Sequence, residues 1–158
     1  MLNRLKTLIA DDAPVPEAAE PADRLHVAAA ALLIRAAQID GTVDAHEQQL
    51  LQRLVGPYFG LKEEEAAALL TQATAAIDAA NDLFQFTQQI NANFGPDHKI
   101  MLVELLWRVV LADGVVDDYE ANLIRRVAGL IHVSDAQAGA ARKRAETPSS
   151  LENFPENL

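Results

Sequence analysis

Along the body of the chain, apolar residues recur at three- and four-residue spacing, and the helix breakers stand where that spacing is interrupted. Gly41, Gly56-Pro57, Gly60, Gly95-Pro96, Gly114 and Gly129 divide it. The predicted helices cover about 24–39, 44–55, 62–79, 82–92, 96–112, 117–131 and 134–145. Their starts carry local signals: the acids of Lys62-Glu63-Glu64-Glu65 in a first turn, Asp82 and Ser134 as N-caps, and Pro96 at a first helical position. Gly139, inside the last segment, is the one breaker that fits no boundary.

Two segments are apolar almost all round. Leu25–Ile39 carries only Arg35 as a charge, and Ile100–Leu111 only Glu104 and Arg108, four residues apart and able to pair on one face. Such helices belong at the centre of a bundle. Asp44–Val55 and Asp117–Ile131 instead show one-sided stripes, through Leu50, Leu51, Leu54 and Val55 and through Tyr119, Leu123, Val127, Leu130 and Ile131. Those helices should cover the central pair. The expected fold is all-α, a compact multi-helical bundle of about seven helices with two buried at its centre.

Composition narrows the function. The 158 residues are 50% hydrophobic but 5% aromatic, which suits helices better than a sandwich or barrel. The absence of cysteine excludes disulfides and thiolate zinc sites, and a formal charge of −10 argues against nucleic acid as a partner. That charge is unevenly placed. Residues 1–23 hold five acids against Arg4 and Lys6, and residues 146–158 add Glu146, Glu152 and Glu156, so each end contributes −3 and the body −4. With five of the seven prolines in these ends, Asp11–Asp23 reads as an acidic Pro/Ala linker and residues 146–158 as a flexible acidic tail, flanking a domain at 24–145. Met1–Ala10 reads as a short amphipathic helix. A helix docked on the body or frayed is favoured over membrane-surface attachment, because one short stripe with two cations binds lipid weakly. No apolar run approaches membrane-spanning length, and the expected address is the cytoplasm.

The body contains a tandem duplication. Residues 32–47 align without a gap on residues 105–120 at an offset of 73, sharing an Arg-x4-Asp-Gly-x-Val-Asp-x2-Glu string. The correspondence continues through Leu50 and Leu123, Arg53 and Arg126, and Gly56 and Gly129. The repeat halves fall at about 24–80 and 96–145, and two copies in one core pack most simply about a pseudo-two-fold axis.

Each repeated loop admits two readings. In the structural one, Gly41 or Gly114 ends a buried helix, Val43 or Val116 plugs the core, and Asp44 or Asp117 caps the next helix. Glu47 or Glu120 then completes a capping box, and Arg35 or Arg108 ties the loop down through an ion pair. In the functional one, Asp40, Asp44 and Glu47, with Asp113, Asp117 and Glu120, hold a divalent cation, calcium or magnesium being the ions suited to oxygen ligands. The pattern departs from a complete EF-hand loop. With Glu47 or Glu120 at position 12, positions 1 and 3 are Ala36 and Gln38, or Val109 and Leu111. Tyr119 and Asp118 lie beside the second loop, and Tyr119 and Trp107 replace His46 and Ile34 of the first. Trp107 reads as core, Asp118 and Tyr119 as a protein-partner contact.

Enzyme signatures are absent. There is no Glu-x-x-His pair, His-Glu-x-x-His helix, Walker loop, G-x-G-x-x-G or G-x-S-x-G string. His26, His46, His98 and His132 read as surface or interface residues, since none has a second histidine at i+3 or i+4. A metal-dependent enzyme built from the loop carboxylates is the alternative to a binding module, but it lacks an assigned base or oxyanion donor.

At these residues the chain resembles the tellurite-resistance TerB-like family. The likeness rests on the apolar helix ending in Asp-Gly-x-Val-Asp-x-x-Glu and its second copy, Leu-Trp-Arg-Val-Val-Leu-Ala-Asp-Gly-Val-Val-Asp-Asp-Tyr-Glu. It extends through the intervening helices over about residues 24–145, and the opening Met-Leu-Asn-Arg-Leu-Lys is similar to that of stand-alone bacterial members. The resemblance implies a compact helical fold of two related halves, found alone or joined to membrane-anchored J-domain co-chaperones. It also implies an accessory or scaffold role in stress and metal-oxyanion responses, with an acidic surface for a divalent cation or a partner. Tellurite reduction is not implied, because there is neither cysteine nor a redox-cofactor motif. Pro96-Asp97-His98 likewise does not reproduce the co-chaperone His-Pro-Asp signature.

Overall fold

A computed structural model describes residues 21–38, 43–112 and 116–147. Asp40, Gly41, Asp113 and Gly114, the amphipathic segment and most of the acidic linker at the start, and the end of the tail lie outside the described residues. Within them the chain is all-α, with seven helices: α1 (Pro21–Ala37), α2 (Ala45–Phe59), α3 (Glu63–Ala79), α4 (Phe84–Asn93), α5 (Pro96–Leu111), α6 (Asp118–Leu130) and α7 (Asp135–Ala145). No helix among the described residues is long and apolar enough to cross a membrane.

The two apolar helices are the buried ones. In α1, Val27–Ile34 is continuous core, and Ala28–Ala31 has no exposed surface. Four small side chains in a row let neighbours approach from every direction, and α1 touches α2, α3, α4, α5 and α6. In α5, Leu102–Val110 is buried without interruption, including Glu104, Trp107 and Arg108. The one-sided helices α2 and α6 each touch both α1 and α5, as their stripes require. The most extensive pairings are α1 with α3 and α5 with α7.

Shifted by 73 residues, the starts of α1, α2 and α3 at 21, 45 and 63 become 94, 118 and 136, against 96, 118 and 135 for α5, α6 and α7. Among the described residues the order is thus three helices, a connecting α4, and three helices again. The correspondence slips by one residue between the second and third helix of each triplet. After α2, Gly60 adopts φ 65°, the Leu61 N–H donates to the Gly56 carbonyl at 2.8 Å and the Gly60 N–H to the Pro57 carbonyl at 3.4 Å. After α6, His132 takes the left-handed position at φ 64°, with Val133 donating to Ala128 at 2.9 Å and His132 to Gly129 at 3.2 Å. Both are Schellman closures. In each copy the N-cap follows two residues after the left-handed one, at Lys62 or Ser134. The cap backbone N–H then donates to the side chain three residues on, Glu65 at 3.1 Å or Gln137 at 3.0 Å.

One helix extends beyond its expected end. The Gly56-Pro57 pair predicts a stop at 55, yet α2 continues through it to Phe59. Pro57 lies in the last turn on the exposed side, where one missing N–H is tolerated. Gly56 is buried, and a Cβ there would stand 3.3 Å from the Leu61 carbonyl oxygen, so glycine serves close packing under the closure. The extra turn brings Tyr58 into the core, where its hydroxyl donates to the His98 carbonyl of α5 at 3.1 Å.

α7 is held differently from α3. Ala141 is its only fully buried residue, so apolar burial gives it a weak grip. Polar contacts add to it. Glu104 accepts from Arg108 at 3.2 Å and from Arg144 of α7 at 2.7 Å, while Arg108 also donates to the Arg144 carbonyl at 3.1 Å. Arg142 lies over the Trp107 ring, its guanidinium carbon 4.5 Å from the ring centroid.

Candidate functional site

The two repeated loops deliver equivalent helix starts. Asp44 precedes α2 with φ −81° and ψ 176°, and its Oδ1 accepts from the Glu47 N–H at 2.8 Å. Asp117 precedes α6 with φ −85° and ψ 170°, and its Oδ1 accepts from the Glu120 N–H at 2.8 Å. The extended backbone of each aspartate turns its carboxylate onto the first free amides of the helix, as an N-cap must. One oxygen of each aspartate is thereby committed to structure.

The cap fixes the third helical residue, Glu47 or Glu120, on the inner side of the first turn. Glu47 is half-buried and Glu120 buried. Both line a single cavity of about 30 Å³, along with Ala36 and Ala37 at the end of α1 and Val109 and Val110 at the end of α5. Ala36, Ala37 and Glu47 are the repeat counterparts of Val109, Val110 and Glu120 at the 73-residue offset. The copies therefore present corresponding faces to the same space. It has room for a water-sized guest and walls of both kinds, carboxylate and aliphatic.

The carboxylates expected to act together divide accordingly. Glu47 and Glu120 share the cavity, Asp44 and Asp117 stand three residues before them as caps, and Asp40 and Asp113 lie outside the described residues. Among the described residues, no group of three or more histidines and carboxylates is disposed to hold a metal ion. Asp118 and Tyr119 project from the first turn of α6, and Tyr119 is 78% exposed. Its counterpart His46 lines the shared cavity.

Arg108 enters a different arrangement from the loop tie expected of it, its described partners being Glu104 and the Arg144 carbonyl. The i, i+4 spacing exposes the Glu104–Arg108 half of this cluster. Nothing local to either residue signals Arg144.

No curated protein and no solved structure gives a significant match to the chain. A family model does: the one described as tellurite resistance protein TerB matches residues 26–143, which runs from α1 into the last turn of α7 and includes both repeated loops. With 118 of 158 residues matched, on an all-helical bundle in which Glu47 and Glu120 of the two copies line one cavity, the chain belongs to the TerB family.

Proposed function

We propose that this protein is a non-enzymatic TerB-like accessory module that works through its duplicated Asp-Gly-x-Val-Asp-x-x-Glu segments, at the end of the bundle where the starts of α2 and α6 border one cavity. There it takes a divalent cation, calcium or magnesium, and the adjoining Asp118 and Tyr119 face a protein partner. The observation that supports this reading is the cavity shared by Glu47 and Glu120. Glu47 and Glu120, from sequence positions 73 apart, bring carboxylates to the lining of one small space. Asp44 and Asp117 each retain one oxygen beyond the cap bond, and oxygen-only donors suit hard cations. A space of about 30 Å³ favours an ion with its water over an organic substrate, and so favours binding over catalysis. The stress or metal-oxyanion response is the setting that the family suggests.

Calorimetric titration of the full chain with calcium chloride and with magnesium chloride tests the cation. Saturable heat, lost when Glu47→Gln and Glu120→Gln are combined, is the expected result; no saturable heat with either ion rejects it. The partner half is tested separately by affinity capture with Tyr119→Ala and Asp118→Ala. Retention of every captured protein by both variants rejects that half.

A further inference from the structure

A second cavity, sharing no lining residue with that of Glu47 and Glu120, carries charge of both signs with no ion pair among the described residues. Arg35 and Arg108 are repeat counterparts, each five residues before its Asp-Gly. Arg108 is buried against Glu104, whereas Ala31 stands at the position equivalent to Glu104 in the first copy. Arg35 accordingly lacks an acceptor at that position, one turn before it on α1. It is exposed and makes no hydrogen bond or ion pair among the described residues. Among the described residues, packing engages the arginine of the second copy and leaves that of the first exposed.

Arg35 lines a groove of about 380 Å³ together with Arg126 of α6, which is likewise exposed and unpaired among the described residues. The end of α3 and the turn into α4 supply Asp78 and Asp82 to the same groove. Asp82 spends one oxygen on the Phe84 N–H at 2.9 Å, and neither aspartate lies within ion-pair distance of either arginine. The groove thus keeps two guanidiniums and two carboxylates apart in one space. A simple anion held by the arginines meets the aspartates, and a simple cation meets the arginines. A ligand carrying both charges satisfies each set. The side-chain amides of Gln38 and Asn81 offer donors and acceptors between them, and Ile77, Leu83 and Leu123 provide apolar surface.

We propose that this groove binds a zwitterionic α-amino acid or short peptide, its carboxylate received by Arg35 and Arg126 and its ammonium by Asp78 and Asp82. The planar guanidinium fork matches a carboxylate in two-point contact, which a lysine would not reproduce. The groove and the cavity of Glu47 and Glu120 have no lining residue in common, and neither reading depends on the other.

The probe is alanyl-alanine, titrated into the full chain and followed by calorimetry and by amide chemical shifts of Gln38, Asn81 and Leu83. The acetylated dipeptide, lacking the ammonium, and the dipeptide amide, lacking the carboxylate, serve as controls. Saturable binding is expected, weakened about tenfold or more by Arg35→Gln, by Arg126→Gln and by either cap on the ligand. Glu47→Gln, at the other cavity, leaves it unchanged. Both arginines are exposed, so the variants should melt as the parent does, and circular dichroism checks this. The proposal is overturned by an absence of shifts up to ~10 mM peptide, by equal binding of the acetylated peptide, or by binding that survives both arginine substitutions together.

Discussion

Arg144 donates to Glu104 at 2.7 Å across forty residues of sequence, and its carbonyl accepts from Arg108 at 3.1 Å, so both its side chain and its backbone fasten α7 to the central helix. The two arms differ in worth. The Arg108 and Glu104 side chains are 7% and 3% exposed, whereas that of Arg144 is 47% exposed and largely screened.

Glu104→Ala leaves the Arg108 guanidinium buried without its carboxylate and should cost about 3–5 kcal/mol, the range for breaking a buried pair from one side. Arg144→Ala should cost under about 1 kcal/mol. Replacing Glu104 and Arg108 together by leucine should recover most of the loss, because no charge is then left buried alone. Urea denaturation of the three variants measures this. If the double variant is as unstable as Glu104→Ala, the loss comes from packing and not from the stranded cation.

Tyr58 makes stability depend on alkaline pH. Burial pushes its phenol well above the ordinary value of 10.0, because the phenolate cannot be solvated in the core. The folded state therefore keeps a proton that the unfolded chain releases near pH 10, and the contribution is fully present below that pH. Above it, stability should fall by up to about 1.4 kcal/mol per pH unit. Tyr58→Phe should remove this part of the slope, and at neutral pH it should cost about 1 kcal/mol for the lost bond to the His98 carbonyl. Denaturation midpoints for both proteins between pH 8 and 11 check the sign.

Most of the fold can be read from the chain because its signals are local. The apolar runs of α1 and α5 give the buried pair, Asp44 and Asp117 announce the caps, and Pro96 and Ser134 mark starts to within a residue. What escapes is whatever depends on how distant segments meet. The Glu104–Arg144 bond has no local periodicity, and the cavity shared by Glu47 and Glu120 follows from the docking of one copy on the other. Gly56-Pro57 misleads for a different reason. Two residues that usually end a helix sit inside one here, because the left-handed stop is supplied four residues later by Gly60. The one-residue slip between copies is likewise hidden, since His132 does the work of that glycine.

His132 carries a cost that Gly60 does not. A side chain in the left-handed region is strained by roughly 1 kcal/mol, and glycine removes the strain while adding freedom to the unfolded chain. His132→Gly should therefore stabilise by up to about 0.5 kcal/mol, and Gly60→Ala should destabilise by about 1 kcal/mol or more, although an added Cβ at Gly60 meets nothing within 4 Å. Thermal unfolding of the pair separates backbone strain from packing. Opposite signs are expected, and a destabilised His132→Gly would mean that the imidazole contributes more than its backbone costs.

The duplicated caps provide a way to divide structure from function at the same residues. Asparagine is about as good an N-cap as aspartate, because its side-chain oxygen accepts the same amide bond, but it has no charge to offer a cation. Asp44→Asn and Asp117→Asn should leave stability within about 0.5 kcal/mol, whereas Asp44→Ala and Asp117→Ala should each cost about 0.5–2 kcal/mol. Since the two caps share their geometry, the two alanine losses should be similar. Calorimetry with calcium or magnesium then reads the second role. Weaker binding in both asparagine variants, at unchanged stability, assigns the free oxygens of Asp44 and Asp117 to the ion. Unchanged binding confines those aspartates to capping and leaves Glu47 and Glu120 as the described carboxylates facing the cavity.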